Sequence, residues 1–173
     1  MPEGCHEIVP GLWLGSRRAV SLSNFQELNI QVVITVMDPE DIADHGIDVV
    51  MDDACEDLKV SWIQIECQDN PDENIHAYFK DVSDVLEQCV VGGKRVLIHC
   101  LGGVSRSPTL VCAYLMKSCS LGWKEALTFV QGKRSCVNPN IGFLAQLEEW
   151  GKECSKECQK ECEKKNKDII LIQ

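Results

Sequence analysis

Residues 95–107 read Arg-Val-Leu-Ile-His-Cys-Leu-Gly-Gly-Val-Ser-Arg-Ser, followed by Pro108 and Thr109. Val96-Leu97-Ile98-His99 is a short apolar run with β-branched members, the pattern of a central strand covered on both faces. Pro108 suits the first turn of a helix, which is expected to run to about residue 118. The residues between, 100–106, must then form a loop from a strand end to a helix N-terminus. A loop of that kind turns successive backbone N–H groups into one concavity, and the helix dipole adds positive potential there.

Such a cradle suits a phosphate. Gly102 and Gly103 let the backbone approach closely and adopt conformations other residues resist. The N–H groups of Leu101, Gly102, Gly103, Val104, Ser105 and Arg106 are the candidate phosphate donors. The planar guanidinium of Arg106 can hold two phosphate oxygens at once. Cys100 falls at the base of the cradle, where positive potential favours the thiolate. A thiolate beneath a bound phosphate is in line for phosphoryl transfer. In a chain with 11 Cys, 5 Arg, 4 His, 12 Gly and 14 Ser or Thr, this His-Cys-x-x-Gly-x-x-Arg-Ser spacing has a chance expectation of roughly 4 × 10⁻⁵. The competing reading is a structural strand-to-helix turn with a buried cysteine.

Outward from this segment, strands and helices alternate. Leu12-Trp13-Leu14, 31–36 and 60–65 read as strands. Helices are expected at about 17–28, 74–90, 122–132 and from 141 onward. The stretch 37–58 reads as acidic and irregular, and 68–74 as a loop by every turn signal. The pattern predicts an α/β fold: a central, largely parallel sheet flanked by helices on both faces.

The 173 residues suffice for one domain with a real core. The expected division is a catalytic domain over 1–150 and a helical tail over 151–173. In the tail Lys-Glu-Cys repeats every four residues and would stack Cys154, Cys158 and Cys162 on one helix face. That stripe is a solvated helix face, a weak contact between two copies or a soft-metal site, and the chain is expected to be a monomer or a weak homodimer. A net charge of −10 argues against a general nucleic-acid binder or a protein of anionic membrane surfaces. No apolar run approaches the length of a membrane span, and the first residues lack a signal-peptide pattern. The expected location is the cytoplasm or nucleus. The odd cysteine count, with no CxxC pair, speaks against a disulfide framework or a four-ligand zinc site.

His99-Cys100-x-x-Gly103-x-x-Arg106-Ser107 resembles the signature of cysteine-dependent protein phosphatases. Gly-Val-Ser-Arg-Ser-Pro-Thr at 103–109 resembles the dual-specificity branch, in particular its small single-domain members. The resemblance extends to Leu12-Trp13-Leu14-Gly15-Ser16, to Ala77-Tyr78-Phe79 and to Asn140-Ile141-Gly142-Phe143-Leu144. It implies hydrolysis of phosphotyrosine and phosphoserine/threonine on phosphoproteins through a cysteinyl-phosphate. No cofactor and no metal are implied, because the cradle and Arg106 neutralise the charge.

The reaction also needs a proton donor for the leaving oxygen. The family places an Asp on the loop before the helix that precedes the cysteine strand. Here that loop holds Asp69, Asp72 and Glu73, and counting back from Ala77-Tyr78-Phe79 selects Asp69. Asp72 is the alternative, or a helix N-terminal charge. The resemblance assigns Ser107 to stabilising the departing thiolate. It gives His99 the role of orienting the loop, and its other reading is a satisfied buried histidine. Asn140 resembles a family Asn that steadies neighbouring loops, although the segment before it is one residue longer here. Cys67, two residues before Asp69, is a candidate oxidation partner for Cys100. The variable positions Leu101, Gly102, Val104 and Ser105 carry no lysine, which disfavours a phosphoinositide and leaves phosphoproteins as the substrate class. The alternatives are a catalytically weak phosphoprotein-binding module and a sulfurtransferase or arsenate-reductase-like enzyme.

Overall fold

The computed structural model describes the backbone of residues 3–170 and the side chains of residues 3–156. Five strands, β1 (Cys5–Val9), β2 (Leu12–Gly15), β3 (Val32–Val36), β4 (Ser61–Ile65) and β5 (Val96–His99), form one sheet in the order β1-β2-β5-β3-β4. Every pair is parallel except the β1–β2 hairpin at the edge. All residues of β3 and β5 are buried, as their near-continuous apolar sequence requires of strands covered on both faces.

Among the described residues, seven α-helices flank the sheet: α1 (Leu22–Leu28), α2 (Pro39–Asp44), α3 (Ile47–Asp57), α4 (Phe79–Val91), α5 (Arg106–Cys119), α6 (Trp123–Lys133) and α7 (Ile141–Ile170). Helix α5 lies against β2, β3 and β5, with α4, α6 and α7 packed around it. It is buried without interruption from Arg106 to Met116. A helix enclosed on all sides makes a rigid base for whatever its N-terminus holds. Helices α1 and α2 pack on α3, which rests against β4. Among the described residues, no helix is long and apolar enough to cross a membrane.

Three segments differ from the sequence reading. Residues 37–58 are not irregular but fold as α2 and α3. Asp38 caps α2, accepting the Asp41 N–H at 2.8 Å, and Pro39 opens it. In α3 the apolar Ile47, Val50, Met51, Ala54 and Leu58 recur at three and four and turn toward the core. The stretch 17–28 is not one helix: a 3₁₀ turn, Arg17–Ala19, is followed by α1, which Ser21 caps. Residues 5–9, unassigned from sequence, form the edge strand β1. Helix α7, begun at Ile141, continues without a break through residue 150. Cys158 and Cys162 lie outside the described side chains. None of the nine cysteines with described side chains, Cys67 and Cys100 among them, is joined in a disulfide.

Candidate active site

Parallel strands deliver their C-terminal ends to one edge of the sheet, and loops leaving that edge form a crevice. Three such loops converge here. The loop after β5 spans 100–105, the segment after β4 spans 66–74, and α2 follows β3.

The β5 loop wraps around the sulfur of Cys100, which is 2% exposed, and Gly103 N–H donates to that sulfur at 3.2 Å. Gly103 has φ +64, and a Cβ there would come within 2.5 Å of the Gly15 carbonyl oxygen, so only glycine fits. Among the described residues, the N–H groups of Leu101, Gly102, Val104, Ser105 and Arg106 meet no backbone acceptor outside regular elements. Ser105 occupies the N-cap of α5 but makes no side-chain cap. The dipole of a buried 14-residue helix is therefore left open toward the loop.

Two arginines lie beneath this loop. Arg106 is 4% exposed; its Nη1 donates to Asp41 Oδ2 at 3.2 Å and to the Cys67 carbonyl at 3.1 Å. Its Nε has no protein partner. Arg134, 6% exposed, donates Nε to the Gly103 carbonyl at 2.9 Å and Nη2 to the Gly102 carbonyl at 3.1 Å. Its Nη1 reaches the Gly4 carbonyl and His6 Nδ1, and burial followed by this guanidinium holds His6 below the usual histidine range. By drawing two loop carbonyls outward, Arg134 leaves the intervening N–H groups facing the pocket.

Asp69 sits across from the cradle. Its Oδ1 accepts Ser105 Oγ–H at 2.7 Å and Asn140 Nδ2–H at 2.9 Å. Asn140 also donates its backbone N–H to Ser105 Oγ at 3.1 Å and caps α7 by accepting Phe143 N–H at 3.0 Å. The additional residue before Asn140 thus leaves it at the site. Gly142 holds the same junction tight, since a Cβ there would stand 1.9 Å from the Pro71 carbonyl oxygen. Asp72 takes no part: it is exposed, and its N–H turns back to Asn70.

His99 is wholly buried between Gly15 of β2 and Thr35 of β3. Its Nδ1 faces the Cys100 carbonyl at 3.4 Å, which can only accept, so Nδ1 carries the proton. Its Nε2 lies 2.8 Å from Thr35 Oγ1, which already accepts Trp62 Nε1–H at 2.9 Å. The chain therefore runs Trp62 to Thr35 to His99 to the cysteine backbone, every donor aimed the same way. Burial holds His99 down to about 4, so the ring is neutral. Ser107 is fully buried with an unpartnered hydroxyl. Burial, reinforced by Glu73, pushes the Cys67 thiol up to about 12, so it is protonated at neutral pH.

The structure thus brings Cys100, Arg106, Ser107, Asp69, His99 and Asn140 around one loop. Sequence reasoning missed Asp41, Arg134 and the Thr35–Trp62 chain. None has a sequence signal of its own: each is an isolated residue 27 to 65 positions from the group it serves.

The arrangement places free backbone and guanidinium donors beside a buried cysteine sulfur, a setting that can hold an anion such as phosphate. Residues 12–153 match the model of the dual specificity phosphatase catalytic domain. Human dual specificity protein phosphatase 22 is 34% identical over 152 residues, 88% of this chain and 76% of its own. Serine/threonine/tyrosine-interacting protein A of Xenopus laevis is 36% identical over 147 residues, covering 83% and 63%. Among solved structures, DUSP15 superposes with a TM-score of 0.75 at 28% identity, over 93% of this chain and 96% of that one. The chain belongs to the dual-specificity phosphatase family and is a small member of the protein tyrosine phosphatase superfamily, with protein tyrosine/serine/threonine phosphatase activity.

Proposed function

We propose that the chain hydrolyses phosphate monoesters on phosphoproteins in two displacements at Cys100. The Cys100 thiolate attacks phosphorus, the ester P–O bond breaks, and Asp69 donates its proton to the departing oxygen. Two donors already engage Asp69 Oδ1, so the transferable proton belongs on Oδ2. The now ionised Asp69 takes a proton from water as its oxygen attacks the cysteinyl-phosphate, releasing phosphate and the thiolate. Arg106 and the loop N–H groups hold the three equatorial oxygens throughout. The unpartnered Ser107 hydroxyl donates to the sulfur as it leaves. His99 fixes the cysteine backbone, and Asn140 fixes Asp69 against the cradle.

The observation that carries this reading is the set of free donors around one sulfur: five loop N–H groups and Arg106 Nε, in a site with no competing carboxylate on the loop itself. The same intact set of Cys100, Arg106 and Asp69 counts against a catalytically weak binding module. The test is Cys100→Ser assayed on a small aryl phosphate. Turnover should fall by at least ~10⁴-fold while phosphopeptide binding persists. Aryl-phosphate hydrolysis at the unmodified rate by that variant overturns the nucleophile assignment. Trapping with Asp69→Ala, followed by mass spectrometry, then identifies the bound phosphoproteins.

A further inference from the structure

The rim of the pocket is electrically divided. Residues 38–57 hold nine of the chain's 27 acidic residues and no Lys or Arg, so the other 153 residues together carry only −1 of the net −10. Within that segment α2, which follows β3 at the site edge, exposes Glu40 and Asp44, while α3 runs back toward the start of β4. Residues 8–26 are the reverse: no acid, and an exposed Arg17–Arg18 pair in the turn after β2.

The sheet order decides where these charges stand. Because β5 lies between β2 and β3, its loop has the Arg17–Arg18 turn on one side and α2 on the other. Contacts fix both neighbours to the loop. Arg17 N–H donates to the Leu101 carbonyl at 3.1 Å, and Arg106 Nη1 pairs with Asp41 Oδ2 at 3.2 Å. Between them the pocket holds the unpartnered Arg106 Nε and Ser107 hydroxyl, on residues more than nine-tenths buried.

We infer that this polarity selects the substrate: a phosphoprotein segment with basic residues on one side of the phosphorylated residue and acidic residues on the other. The basic flank lies over α2 and the acidic flank over the Arg17–Arg18 turn. Asp41 is engaged with Arg106, so the recognising charges on the acidic side are exposed ones such as Glu40 and Asp44. Exposed charges orient an incoming chain more than they hold it, and salt screens them within about 10 Å at 0.1 M. The inference rests on the phosphatase reading.

The test uses two phosphopeptides of identical composition, one with Arg-Arg before and Glu-Glu after the phosphorylated residue, the other reversed. A polarised rim cannot treat them alike, whichever way the peptide runs. At low ionic strength kcat/KM should differ by about tenfold, and by less than about twofold in roughly 0.5 M salt. Glu40→Lys/Asp44→Lys should bring the low-salt ratio below about twofold. Equal kcat/KM at low salt, with normal turnover of a neutral aryl phosphate, overturns the charge inference alone. Failure of the unmodified protein to hydrolyse the aryl phosphate overturns the phosphatase reading instead. The two peptides' association rate constants with Cys100→Ser at low salt, which need no turnover, then read the rim separately: a ratio near one overturns its polarity.

Discussion

Arg106 and Arg134 are two buried cations beneath one loop, and they meet opposite surroundings. Arg134 faces four protein acceptors: three carbonyls and a histidine nitrogen. Arg106 reaches one carboxylate and one carbonyl, and its Nε meets nothing. Burying a charge is costly unless its donors are satisfied. Arg134 satisfies that rule within the protein, and Arg106 satisfies it fully only with an anion bound. The same division separates two sides of the site. The frame side, comprising Arg134, His99, Thr35 and Trp62, is saturated by hydrogen bonds. The pocket side, comprising Cys100, Arg106, Ser107 and the loop N–H groups, keeps donors free.

The division predicts that pocket residues govern rate and frame residues govern stability. Arg106→Met should lower kcat/KM by about 10⁴-fold, because transition-state charge loses its main guanidinium, with a smaller loss of stability. Arg134→Met should instead lower the denaturant midpoint by an amount worth roughly 3 kcal/mol, since it strands buried carbonyls. Equal stability losses in the two variants would erase the contrast between the arginines.

Asp69→Asn comes next, with kcat reduced about 10²- to 10³-fold on an alkyl phosphate. The reduction should shrink for an aryl phosphate with a good leaving group, which needs less protonation. A loss that is the same for both esters would remove Asp69 as the proton donor.

His99 tests the frame by pH. Its folded value, about 4, lies below the ordinary 6.5, so the unfolded chain binds the proton more readily. Its contribution is fully present above about pH 6.5 and is lost as pH falls toward 4, by roughly 3 kcal/mol in all. Urea unfolding at pH 7 and pH 4.5 should show this loss, and His99→Asn should flatten it. A pH dependence unchanged in that variant would assign the acid sensitivity to other groups.

Asn140 stands on the border, since it caps α7 and also holds Asp69. Asn140→Ala should therefore cost about 1 kcal/mol in stability and about tenfold in kcat. A change in only one of the two would place the residue on one side of the division.

Much of this is legible in the sequence alone. The β5–loop–α5 segment reads directly, because an apolar run, two glycines and Pro108 leave few other conformations. Asp69 was legible only through the family, since Asp72 and Glu73 share its loop and its chemistry. Helix α3 had a readable period at Ile47, Val50, Met51, Ala54 and Leu58, but its many carboxylates and the lack of a side-chain cap at Gly46 obscured it. Strand β1 escaped because only its pairing with β2 gives its alternation meaning.

The sequence by itself determined the candidate reacting groups and the order in which strand, cradle and helix follow one another, because those depend on neighbours along the chain. Only the tertiary structure decided what stands around them: Arg134 from beyond α6, Asp41 from α2, and the Trp62–Thr35–His99 chain across three strands. These partners meet because the sheet places β5 between β2 and β3, and no local rule of sequence reaches across that order.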